Sequence, residues 1–140
     1  EFRRVLFRSD ELRLVYGDAG YSSDERKRTA FRNARLCQLL SHQGFTVVCS
    51  TISLFHEVQA WNRDHIPLYR EIYLEASLEE LQRRDTRGVY SAAHSVVGRD
   101  LHVELPVAPD LTLSVTQRTP SELLNDVLAK FEEPEDGLLR

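Results

Sequence analysis

The 140 residues hold no G-x-x-x-x-G-K-[ST] segment, so the backbone cradle, the phosphate lysine and the Mg²⁺-binding hydroxyl of a P-loop are all missing. Cysteine is scarce as well. Cys37 and Cys49 stand in apolar surroundings without C-x-x-C spacing, which points away from a disulfide framework and toward reduced core residues, as in a cytoplasmic protein. The histidines (His42, His56, His65, His94 and His102) show no zinc-ligand spacing, so no metal site is expected. No apolar stretch approaches the roughly 20 residues that a membrane helix needs, so no membrane partner is expected. An excess of positive charge is absent too: the net charge of −4 argues against a protein that coats nucleic acid, and a small anionic ligand needs a local basic pocket.

What is present suffices for one domain, with 41% of the residues hydrophobic. The opening run Glu1-Phe2-Arg3-Arg4-Val5-Leu6-Phe7-Arg8-Ser9 resembles the in-frame translation of a sequencing adapter, and it is set aside from the fold. The alternative is a basic arm that binds a membrane or nucleic acid. Without that run the net charge falls from −4 to −6, because three arginines and one glutamate leave with it. The domain is expected over residues 10–134, followed by a short tail over 135–140; from Glu132 the chain is acidic.

Along the domain, helices and strands alternate. Ser22-Ser23-Asp24-Glu25 fits a capping box and opens a helix that runs to about Gln43, where Gly44 ends it. Ala30, Ala34, Cys37 and Leu40 recur there at helical spacing. The nearly continuous apolar run 45–50 predicts a strand buried on both faces, as in a parallel sheet. A short helix containing Val58 and Trp61 follows, then a strand over 70–75. A second capping box at Ser77-Leu78-Glu79-Glu80 starts a helix toward Arg84. Residues 93–109 carry Gly98, Pro106 and Pro109 and read as a long surface connection. A strand over 111–115 precedes a third capping box, Thr119-Pro120-Ser121-Glu122, with proline at the first helical position. The last helix presents Leu123, Leu124, Val127, Leu128 and Phe131 along one face. This order is that of an α/β fold with a parallel sheet.

Four ordered motifs carry a resemblance. Asp10-Glu11-Leu12-Arg13, Gly20-Tyr21-Ser22-Ser23-Asp24-Glu25-Arg26, Ile52-Ser53-Leu54-Phe55 and Arg84-Asp85-Thr86-Arg87-Gly88-Val89-Tyr90 match D-G-D-x-x-R (from its second Asp), G-[FY]-S-x-x-D-R, I-S-P-[FY] and R-D-x-K-G-L-Y. From about Asp10 to Phe131 the chain thereby resembles the adenylylsulfate kinases. These are P-loop kinases that move the γ-phosphate of ATP to the ribose 3′-hydroxyl of adenylyl sulfate. The resemblance implies a three-layer α/β/α fold of the P-loop nucleoside-kinase type, here without its first two strands and its P-loop. It implies Mg²⁺ and ATP in the intact parent, a nucleotide acceptor, and a homodimer or a fusion to other sulfate-activation enzymes.

By the same resemblance Asp10 accepts or orients the acceptor proton, and Tyr21 stacks on the base. Arg13 and Arg26 fork onto sulfate and phosphate oxygens. Thr29, Ile52, Ser53 and Phe55 complete the acceptor site just past a strand end, and Arg84 and Arg87 lie near the lid over ATP. Taken singly, Asp10 could simply open a helix, the aromatics could be core, and the arginines could be solvated surface charges. Departures bear on the acceptor. The family's E-N-I-R-R reads Arg28-Thr29-Ala30-Phe31-Arg32, His56 stands where an arginine commonly follows I-S-P-[FY], and K-x-F-T-G is shortened to Ser95-Val96-Val97-Gly98.

Three functions follow from these residues: a fragment of an adenylylsulfate kinase, a fragment of a kinase for another nucleotide-linked or carbohydrate-pathway acceptor, and a non-catalytic nucleotide- or partner-binding domain. Without its own P-loop the chain is expected not to transfer phosphate. Strands 45–50 and 70–75 are expected to lack their partners and to expose apolar edges, giving a poorly stable fragment.

Overall fold

A computed structural model describes residues 3–17, 20–85 and 103–131. Along the chain these form β1 (Arg4–Arg8), α1 (Ser9–Tyr16), α2 (Ser23–His42), β2 (Thr46–Ser50), α3 (His56–His65), β3 (Ile72–Glu75), α4 (Leu78–Arg84), β4 (Leu111–Ser114) and α5 (Pro120–Phe131). They divide into two compact units, Glu1–Tyr69 with Val103–Val107, and Arg70–His102 with Ala108–Arg140.

In the first unit β1 pairs with β2 in parallel, from Arg4 opposite Thr46 to Arg8 opposite Ser50. The run set aside as adapter-like therefore supplies a strand, which is a correction to the fold expected from sequence. The reason is its period of two: Val5 and Phe7 turn inward while Arg4, Leu6 and Arg8 face out. The same alternation corrects the expectation that β2 is buried on both faces. Val47 and Cys49 are half-buried, whereas Val48 is 57% exposed and its register partner Leu6 66% exposed. Asp10 lies in the first turn of α1, in line with the reading that it opens a helix. The helix stops at Gly17, whose φ of 69° lies in the left-handed region and whose N–H returns to the carbonyls of Arg13 and Leu14.

α2 begins with the full capping box: Ser22 Oγ accepts from the Glu25 amide at 3.3 Å, and Glu25 Oε2 accepts from the Ser22 amide at 3.0 Å. It ends as expected at Gly44, with φ of 83°, after which the Phe45 amide donates to Leu40 O at 3.0 Å. The inner face of α2 buries Ala30, Ala34 and Cys37, and with them Thr29 and Asn33. Val58 of α3, 1% exposed, closes a small core on Ala30 and Ala34, with Phe31, Phe55 and Trp61 packed around it. Trp61 meets Phe31 edge-on at 6.2 Å and stacks on His65 at 4.5 Å.

In the second unit β3 and β4 pair in parallel, from Ile72 opposite Leu111 to Glu75 opposite Ser114. Both pairs are thus parallel, as the alternation of elements requires. Ser77 caps α4 by accepting from the Glu80 amide at 3.2 Å. The reciprocal half of that expected box is replaced, because the Glu80 carboxylate turns to Arg83 and Arg84 instead. At α5 the third box forms in full: the Thr119 amide donates to Glu122 Oε2 at 2.7 Å and the Glu122 amide to Thr119 Oγ1 at 3.3 Å. Leu113 is buried, while Leu124 and Leu128 on the expected apolar face of α5 are exposed. Of the expected connection over 93–109, residues 93–102 lie outside the described residues. Residues 103–107 belong to no helix or strand, and Glu104 among them hydrogen-bonds to Leu54 and to His56 at the start of α3.

Candidate functional site

α1, the residues around the start of α2 and the loop after β2 carry eight of the expected residues, all in the first unit. Asp10 lies in the first turn of α1, where a carboxylate also suits the helix dipole, and pairs with Arg8 at 2.8 Å. Three residues on, Arg13 donates from Nη2 to the Gly20 carbonyl and lies with its guanidinium 4.3 Å over the Tyr21 ring centroid. Tyr21 itself is 71% exposed, an aromatic face open to solvent. Arg26, in the first turn of α2, sits 6.0 Å over the ring of Phe55. Two guanidiniums thus stand on two aromatic faces.

They are also close to each other. Burial, and after it the charge of Arg13, hold the Arg26 guanidinium below the usual arginine range. An anion would offset this pair of like charges. Two further polar atoms fit one: Arg13 Nε and Ser53 Oγ are both buried without a partner among the described residues, and both can donate. Ser53 belongs to the loop after β2, in which Ile52 is exposed and Phe55 is half-buried against the Val58 core. Thr29 is buried one turn past Arg26 on the inner face of α2.

Phe31 stands where the resemblance puts an arginine, and it is packed into the core against Trp61. Its ring takes no part in the cluster of cations. Nearby on α2, Lys27 contacts Glu57, and that hydrogen bond raises the Lys27 amine above its usual range.

Arg84 belongs to the second unit and is engaged structurally. It contacts the Glu80 carboxylate and donates from Nη2 to Val115 O at 2.8 Å. Arg83 makes a forked contact to the same carboxylate at 2.7 and 2.8 Å. Arg83 first, then Arg84, hold Glu80 down to about 2. Arg87 and the segment 95–99 lie outside the described residues. Among the described residues no group of three or more His, Cys, Asp or Glu gathers in a way that could hold a metal ion, and no helix is long and apolar enough to cross a membrane.

Two residues were missed from sequence. Asn33 is buried beside Thr29 with Oδ1 unpartnered among the described residues, in a position where the helical period gave only its face. Glu104 comes from the stretch without periodicity and touches the site loop from outside. Its amide donates to Leu54 O at 3.3 Å, and its carboxylate accepts from the His56 amide at 2.6 Å.

The family model for adenylylsulphate kinase matches residues 4–114, β1 included. The chain is 34% identical over 131 residues to a cytidine diphosphoramidate kinase of Campylobacter jejuni, covering 90% of this chain and 76% of that protein. To an adenylyl-sulfate kinase of Pseudomonas aeruginosa it is 28% identical over 135 residues, covering 91% of this chain and 69% of that one. The solved Mycobacterium tuberculosis APS kinase CysC in complex with AMPPNP and APS superposes with a TM-score of 0.83 at 26% identity, over 94% of this chain and 81% of that one. The chain belongs to the adenylylsulphate kinase family, whose members are phosphotransferases.

Proposed function

We propose that the chain carries the acceptor-binding part of a kinase that moves the γ-phosphate of Mg·ATP to a hydroxyl of a nucleotide whose phosphate bears a second capping group. The first acceptor we assign is adenylyl sulfate, phosphorylated at its 3′-hydroxyl as a step of sulfate activation. The observation behind this is the Arg13 and Arg26 pair on the Tyr21 and Phe55 rings, together with the unpartnered donors Arg13 Nε and Ser53 Oγ. In the proposed complex the guanidiniums and Ser53 bind the anionic bridge, and the exposed ring of Tyr21 holds the base. Asp10 takes up or orients the hydroxyl proton. Ile52 contributes backbone beside Ser53.

A second acceptor, of the cytidine diphosphoramidate kind, is favoured by a specific observation. Thr29 replaces the family asparagine at a buried position, and Phe31 replaces a family arginine and is spent on core packing against Trp61. The relative named for that activity is also 34% identical, against 28% for the Pseudomonas adenylyl-sulfate kinase.

The described residues do not fit a donor site. Arg84 is engaged by Glu80 and Val115, and the 140 residues hold no P-loop. Alone it is expected not to transfer phosphate. The test is a panel of adenylyl sulfate, cytidine diphosphoramidate, ADP and CDP, offered with Mg·ATP to the polypeptide of the complete reading frame. Transfer to adenylyl sulfate at least tenfold more efficient than to the others supports the first acceptor. The reverse order supports the second, and transfer to none refutes both.

A further inference from the structure

We propose that Glu104 is a positioning residue for the acceptor loop, gripping it on both sides of Phe55; this rests on the acceptor-site reading above. Residues 103–107 lie in the same compact unit as that loop. The Glu104 amide donates to Leu54 O at 3.3 Å, and its carboxylate Oε2 accepts from the His56 amide at 2.6 Å. Its carbonyl accepts from Gln59 Nε2 at 3.3 Å, and the next carbonyl, Leu105 O, lies 2.8 Å from His56 Nε2. A carbonyl only accepts, so His56 presents an N–H there. One residue thus holds the chain immediately before and immediately after Phe55, while the loop carries no regular pairing of its own.

The electrostatics favour the grip. Oε2 meets a first-turn amide of α3, one of the donors that a helix leaves unpaired, and does so as a charge-assisted bond. Lys27 on α2 feels the Glu104 charge as well as that of Glu57. Phe55 is fixed by the Val58 core on one side and presented to Arg26 on the other. Release of Glu104 therefore leaves the core contact and frees the backbone that aims the ring. His56, where the family commonly has an arginine, forms the second half of the clasp through its ring contact with Leu105 O.

The experiment is carried out on the polypeptide of the complete reading frame, with Glu104→Gln, Glu104→Asp and His56→Ala. Gln keeps the shape and an acceptor oxygen and loses the charge; Asp keeps the charge and shortens the reach. Hydrogen exchange read by mass spectrometry follows the His56–Val58 amides, and steady-state kinetics give separate KM values for acceptor and for Mg·ATP. We expect exchange there to rise at least tenfold in Glu104→Gln. The acceptor KM is expected to rise about tenfold with the ATP KM within twofold, with partial return in Glu104→Asp. His56→Ala is expected to move both readouts in the same direction and less. A merely structural role moves melting temperature and both KM values together, and that result overturns the proposal. So does unchanged exchange at His56–Val58 in Glu104→Gln. Should no acceptor on the panel be turned over, the acceptor reading fails, and the exchange data alone decide whether Glu104 holds the loop.

Discussion

Val58→Ala should remove the centre of the small core formed with Ala30 and Ala34 in the first unit. Val58 is 1% exposed and rests on Ala30 and Ala34, two residues with no side chain long enough to move into a space left beside them. Loss of two methyl groups costs about 0.8 kcal/mol each in transfer, roughly 1.6 kcal/mol together. The cavity term, at about 24 cal/mol per Å³, lifts the total to roughly 2–3 kcal/mol where the walls cannot collapse. Against a typical domain stability of about 5–15 kcal/mol this is a large fraction. Trp61 is the chain's single tryptophan and packs on this core, so its fluorescence in a urea titration reports the event without a label. With a slope of about 1.5 kcal/mol/M, the midpoint should fall by roughly 1.5 M. Phe55 packs on the same cluster, so acceptor affinity should fall with it. Leu6→Ala serves as the control and should change stability by less than about 0.5 kcal/mol, because Leu6 is 66% exposed. A loss below about 0.5 kcal/mol for Val58→Ala itself refutes the description of the core.

Three further outcomes are expected. Arg26→Lys keeps the charge and loses the fork, so acceptor KM should rise about 10- to 100-fold, corresponding to a charge-assisted bond of roughly 1.5–3 kcal/mol; steady-state kinetics check it. Thr29→Asn restores the family residue at a buried position and should shift the ratio of kcat/KM toward adenylyl sulfate, as read on the acceptor panel. Glu80 is held at about 2 by Arg83 and Arg84, below its ordinary value of 4.5. Its folded value is the lower one, so its stabilising contribution is complete above about 4.5 and is lost as pH falls toward 2. Acid unfolding followed by circular dichroism should show a shallower dependence over that interval in Glu80→Gln than in the parent chain.

Local signals carried most of the fold. Side-chain-to-backbone caps at Ser22, Ser77 and Thr119 and the left-handed Gly44 act over three or four residues, so a sequence displays them directly. What depends on distant partners was not displayed. The strand at Arg4–Arg8 became visible only through its register with Thr46–Ser50, and the exposure of Val48 follows from what covers, or leaves open, that face. The second half of the Ser77 box lost Glu80 to two arginines whose approach no capping pattern describes. The same holds at the site. Motif spacing brought Asp10, Arg13, Tyr21, Arg26, Ser53 and Phe55 into view, because each belongs to a short motif whose residues lie close together in sequence. Glu104 lies 48 residues from its partner His56, in a stretch without periodicity, and only folding joins them.

The most direct test of the central claim is isothermal titration of adenylyl sulfate into the 140-residue chain in the absence of ATP. Saturable one-to-one binding that is lost in the Arg13→Ala, Arg26→Ala double variant, with no phosphate transfer when Mg·ATP is added, is the predicted result. Absence of saturable binding by adenylyl sulfate and by cytidine diphosphoramidate, or binding that the double variant leaves unchanged, contradicts it.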